Sequence, residues 1–81
     1  MPTTDHVYEY TVLLHPAEEE GGFTVTVPAL PGIVTEGDTL EEALEMARDA
    51  IALYLEDLVA DGEPIPTENV APQLARVTVA A

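Results

Sequence analysis

The chain contains no cysteine, no serine and no lysine, and its only basic side chains are Arg48 and Arg76. Each absence excludes a class of chemistry. Without cysteine there is no disulfide staple, no Cys/His set for structural zinc and no thiolate nucleophile. Without serine the remaining aliphatic hydroxyls are threonines, and no base is organised around any of them. With two cationic side chains against sixteen acidic ones the net charge is −14, so a phosphate backbone is repelled and direct nucleic-acid binding is not expected. No apolar run approaches the length that spans a bilayer. The start, MPTTDHVYEY, has neither a basic region nor an apolar core of the secretory kind, which makes the cytoplasm the default compartment.

What is present is an 81-residue, 47 % hydrophobic sequence with clear periodicity, a folding chain rather than an acidic disordered tail. One domain covering residues 1–81 is expected. A chain of this size buries only about 60–65 % of its unfolded surface, and with no staple to help it, self-association is an expected further source of apolar burial. The negative surface steers the protein toward a basic partner; solubility alone is the plainer reading of the same charge.

The clearest element is a helix between Asp38 and Gly62. Thr39-Leu-Glu-Glu42 fits a capping box, with the threonine hydroxyl taking the N3 amide and Glu42 reaching back to the cap amide. Gly62 can close the helix in the left-handed conformation, and Pro64 and Pro66 forbid its resumption. Leu40, Ala43, Leu44, Ala47, Ile51, Tyr54, Leu55 and Leu58 recur at three- and four-residue steps as one apolar stripe. Met46, Ala50, Leu53 and Ala60 form a weaker line beside it.

Val7–Leu14 reads as a strand rich in aromatic and β-branched residues, apolar enough on both faces to be central. His15–Gly22 is a loop, and Phe23–Val27 alternates strictly, with Phe23, Val25 and Val27 inward. Pro28 ends that strand, since it cannot donate to a ladder. Pro31-Gly32 suits the two central positions of a type II turn, Ile33–Glu36 makes a third short strand, and Leu74–Val79 a last one. The order β-β-β-α-β predicts an α+β fold: a small mixed sheet with one long helix on one face, the last strand returning parallel through a right-handed crossover.

The run GGFTVTVPALPG, then TEGDTLEEALEMARDAIALYLEDLVADGEPIP, resembles the HicB-like antitoxin domain, also known as the UPF0150 group. The likeness is dense over residues 21–66 and looser over the rest. It implies a partial RNase H-like fold and the antitoxin role in a HicA–HicB-like toxin–antitoxin pair, in which a small basic mRNA endoribonuclease is bound and its active site masked. Ala29 and Ile33 depart from the family, which commonly has aspartate and often cysteine at these places. Family members often carry a C-terminal DNA-binding domain, and this chain reads as a short stand-alone member without one, so operator binding by this chain is not expected.

The RNase H-like shape invites a search for metal-binding carboxylates, but the strands offer only Glu9 and Glu36, with Asp38 committed to the cap region. That is too few for two-metal chemistry, so no enzyme activity, cofactor or metal is expected. His6 and His15 read as solvated, and Glu18-Glu19-Glu20 as a loop tip lacking the alternating spacing of a calcium loop. If a basic toxin docks, Glu41, Glu42, Glu45, Asp49 and Glu56 on the polar helix face are its natural landing site. Met46 and Leu53 stand open between a core-edge and an oligomer-contact role. Pro28, Leu30, Pro31 and Gly32 are a structural turn that also shapes the nearby surface. The alternative to the antitoxin reading is a stand-alone oligomeric domain with a structural role, joined through Met46/Leu53 or the uncovered sheet face that carries Thr24 and Thr26.

Overall fold

The computed structural model describes residues 7–81. Among them it forms three strands, β1 (Leu13–Pro16), β2 (Phe23–Thr26) and β3 (Val34–Gly37), and one helix, α1 (Leu40–Ala60). The sheet runs β1-β2-β3 and both pairings are antiparallel, with Leu13 opposite Thr26 and Val25 opposite Thr35. The class is α+β, as expected, with β2 central and β1 on an edge.

The first strand is shorter and later than the sequence predicts. Continued past Leu13 and Thr26, the register would set Val12 against Val27 and Thr11 against Pro28, and proline has no N–H to give the ladder. Pairing therefore starts at Leu13, and residues 7–12 run as an extended lead-in to β1. The hairpin loop is closed by the Ala17 amide on the Gly22 carbonyl and the Gly21 amide on the Ala17 carbonyl, which leaves Glu18, Glu19 and Glu20 exposed at its tip.

Residues 27–33 fold as two successive turns, the Leu30 amide bonding the Val27 carbonyl at 2.9 Å and the Ile33 amide the Leu30 carbonyl at 3.1 Å. Gly32 does not adopt positive φ, so the second turn is not the expected type II, which requires φ above zero at that place. The outcome of the two turns is that Leu30 points inward and is completely buried. It forms one half of the core with Val27 and Ile33, against Tyr10, Val12, Ala50, Ile51 and Tyr54. The other half is Val25, Ala43 and Ala47, flanked by Val12, Leu14 and Phe23. The strict alternation Phe23-Val25-Val27 is therefore what builds the helix-facing side of the sheet.

Two alanines mark where α1 lies closest to the sheet, and Gly37 completes that approach. A Cβ added at Gly37 would collide with the backbone nitrogen and Cα of Ala43. Glycine is needed there for room, because the helix begins directly over the end of β3. Thr39 caps α1, its hydroxyl accepting from the Glu42 amide at 3.1 Å. Glu42 reciprocates one residue earlier than expected: its carboxylate accepts from the Asp38 amide at 2.6 Å rather than from the cap's own. At the far end Gly62 takes φ 71°, the Glu63 amide bonds the Leu58 carbonyl and the Gly62 amide bonds the Val59 carbonyl, the paired closure of a Schellman motif. The apolar stripe is offset from the expected one. Leu40 and Leu44 at its start are exposed, whereas Ala50, assigned to the weaker line, packs into the core.

Beyond Gly62 the chain forms no helix or strand and bends at residues 69–70. Pro66 meets the sheet's lead-in, its carbonyl accepting from the Tyr10 hydroxyl, and Glu68 accepts from Thr11. Residues 74–79 form no strand, which corrects the expected fourth strand and with it the mixed sheet and helical crossover. The reason is reach. Thr11 and Glu68 meet at a separation of 57 residues, and a parallel run at that offset would put Leu74 opposite Ala17, past the end of β1.

Candidate partner-binding surface

With Ala43, Ala47, Ala50, Ile51 and Tyr54 turned to the sheet, the 3.6-residue period turns Glu41, Glu45, Asp49 and Glu56 to the far side. All four are exposed. Glu41, Glu45 and Asp49 follow one another at four-residue steps, so their carboxylates lie along one line of the helix. Like charges at that spacing cost the helix a few tenths of a kcal/mol per pair. Glu42 is also exposed, but its carboxylate is engaged with the Asp38 amide. Arg48 interrupts the line and shares a shallow depression with Thr39, Glu41, Leu44 and Glu45. No basic residue stands in the last turn of α1, where a cation would complement the helix dipole. The result is a negative strip running the length of the helix.

Met46 and Leu53 lie on one flank of this strip, seven residues apart, and are 46 % and 61 % exposed. Neither packs with the core clusters. On the opposite flank, Leu44, Ile51 and Leu55 face Tyr8, Tyr10 and Val12 of the lead-in across an open groove of about 410 Å³. Of the four turn residues, Leu30 is core, while Pro28, Pro31 and Gly32 are exposed.

The remaining candidates are scattered. Glu9 precedes the edge strand β1 and Glu36 lies on the opposite edge strand β3, both exposed. Among the described residues no three His, Cys, Asp or Glu side chains are grouped to hold a metal ion. His15 is exposed with its Nε2 3.1 Å from the Thr26 hydroxyl; His6 lies outside the described residues. No described helix is long and apolar enough to cross a membrane.

Sequence reasoning missed Glu68. Its carboxylate accepts from both the Thr11 amide and the Thr11 hydroxyl. Those two bonds, the hydroxyl's first, hold its pKa below the ordinary glutamate value despite an opposing desolvation. Tyr10 beside it is shifted upward, by burial first and the nearby Tyr8 second. Together they fix the connector to the lead-in over residues 66–68. The only sequence signal was weak: an acid between Pro66 and Pro72, in a segment with nothing else to anchor it.

Residues 10–78 match the family described as HicB_like antitoxin of bacterial toxin-antitoxin system. A UPF0150 protein of Synechocystis is 43 % identical over 67 residues, covering 83 % of this chain and 84 % of that protein. One from Thermoplasma acidophilum is 44 % identical over 61 residues, covering 75 % of this chain and 87 % of its own. A protein named Antitoxin HicB 1 from Photorhabdus laumondii is 51 % identical over 57 residues, 70 % of this chain. The matched stretch spans only 36 % of that antitoxin's length. No solved structure matches.

Proposed function

The chain belongs to the HicB-like antitoxin family of bacterial toxin–antitoxin systems, and from that premise we propose that it binds and masks a small basic ribonuclease of the HicA kind without catalysing a reaction itself. The observation that carries this reading is the acidic strip on α1, set on a family scaffold matched from residue 10 to residue 78. Glu41, Glu45, Asp49 and Glu56 would meet the cationic surface with which such a toxin holds RNA, with Glu42 adding charge at the helix start. The strip costs the helix stability through like-charge spacing and leaves its C-terminal end without a cation, an arrangement that partner binding explains better than folding does. Its charge would govern the rate of encounter, and apolar contacts at its margin, including exposed Met46 and Leu53, would govern the lifetime of the complex. Such an encounter belongs in the cytoplasm, where mRNA is the toxin's target.

The test is co-expression with any small basic protein encoded beside its gene. Growth arrest by that protein should be relieved, and the two chains should co-purify. Glu45→Lys combined with Asp49→Lys should slow association at low salt by about tenfold or more, with helical content retained. A neighbouring ribonuclease left fully active by an excess of this protein would end the antitoxin reading. A second reading, a stand-alone oligomeric domain with no toxin, is favoured by the short UPF0150 relatives, which this chain covers almost end to end. It predicts self-assembly in the absence of any such neighbour.

A further inference from the structure

Residues 71–81 form an arm with nothing to lie against. Leu74, Val77 and Val79 are 87 %, 84 % and 78 % exposed on backbone outside any helix or strand. Ala75, Val77 and Val79 alternate with Arg76 and Thr78, the pattern of a half-buried strand. The chain's radius of gyration is 15.5 Å, against about 12 Å for a compact chain of its length. An apolar strand held out in water is a surface that wants covering.

The β1 edge of the arm's own sheet, the edge its connector meets, does not reach it. The 57-residue separation at Thr11 and Glu68 exhausts β1 before Leu74 in a parallel run. In an antiparallel run Leu74 would face position 5, outside the described residues, and residues 74–79 would run away from β1. Arg76 is the arm's only charged side chain, and the side chains of residues 1–70 sum to −15. Two bodies this negative repel one another, and the arm is the segment through which a second copy is approached with the least repulsion.

We propose that Leu74–Val79 of one copy adds as a strand to the β1 edge of a second copy, reciprocally, with Val77 and Val79 seated at the groove between Tyr10 and Leu55. The edge is available because β1 ends the sheet, and main-chain pairing of an added strand requires only that. The groove offers about 410 Å³ lined by Val12, Leu44 and Ile51 as well, with Arg48 its only charged lining residue, so apolar contact and not ion pairing would hold Val77 and Val79 there. Exchange between two copies closes on itself, each giving one arm and receiving one. This inference does not depend on toxin binding and can hold or fail separately from it.

Light scattering on the full chain, read across a wide concentration range, should give the mass of two 8.6-kDa chains. Val77→Asp with Val79→Asp should halve that mass with helical circular dichroism unchanged, because the arm makes no part of the core. Amide exchange at residues 74–79 should be slowed in the wild type and fast in the variant. A wild-type monomer with unprotected arm amides overturns the proposal. So does a dimer that survives the double substitution but falls apart on Leu53→Asp, and so does protection of the arm that appears only when a basic toxin is added.

Discussion

The stretch from Leu13 to Gly62 and the two segments that flank it are built on opposite terms. Between Leu13 and Gly62 every element is fixed by its neighbour. Pro28 stops β2, paired turns drive Leu30 inward, Gly37 admits Ala43, and Thr39 and Gly62 close the helix at both ends. The flanking segments, 7–12 and 63–81, meet each other through Tyr10 with Pro66 and Thr11 with Glu68. A sheet of three four-residue strands is small for independent stability, and the helix supplies what it lacks. The body is specified by packing, which the lead-in joins through Tyr10 and Val12, whereas the connector and arm beyond Gly62 are held by a few polar contacts and left with apolar surface to spare.

The comparison is broken most directly by enlarging or emptying the body. Leu30→Ala removes a fully buried side chain and should cost about 2–5 kcal/mol in urea unfolding. Gly37→Ala pushes a methyl group against the Ala43 backbone and should cost up to about 3 kcal/mol, the upper range for overpacking. Gly32→Ala, where an added Cβ meets nothing within 4 Å and φ is not positive, should change stability by no more than about 0.5 kcal/mol. Equal effects at Gly37 and Gly32 would mean that the helix does not sit over β3 as described.

A smaller effect sharpens the same contrast at the junction of sheet and helix. Thr39→Ala removes the hydroxyl that accepts from Glu42 and should cost about 1 kcal/mol, read from the urea midpoint. Retained stability would show that the Asp38–Glu42 bond alone holds the helix start.

The sequence made the body legible because its signals are local. The Thr39–Glu42 spacing, the alternation of Phe23, Val25 and Val27, and the Gly62-Glu63-Pro64 stop each act within a few residues. The ends were illegible for the opposite reason. Val7–Leu14 has the composition of a central strand, but Pro28, distant in sequence and adjacent in space, removes its pairing partner. Leu74–Val79 has a strand's pattern, yet whether a strand forms depends on an edge within reach, and no residue in that segment encodes the reach. Glu68 escaped notice because a carboxylate reveals nothing until the Thr11 amide and hydroxyl are seen beside it. The acidic strip of Glu41, Glu45, Asp49 and Glu56 was legible as a helix face; that Glu42's carboxylate is held at Asp38 was not, since the box closes one residue out of register.

The mildest perturbation acts on the ends alone. The Glu68 carboxylate has its pKa lowered by its bonds from Thr11, so its contribution is complete above the usual glutamate value and fades as the pH falls through the lowered one. Acidification below about pH 4 should therefore loosen the connector before the body unfolds. Amide exchange at Thr11, measured against exchange within α1, should rise selectively, and Glu68→Gln should reproduce that rise at neutral pH with little change in the urea midpoint. The exposed position of the tether makes a large effect on global stability unexpected. If Glu68→Gln instead shifts the unfolding of the whole chain, the connector is part of the cooperative unit and the division between a packed body and tethered ends does not hold.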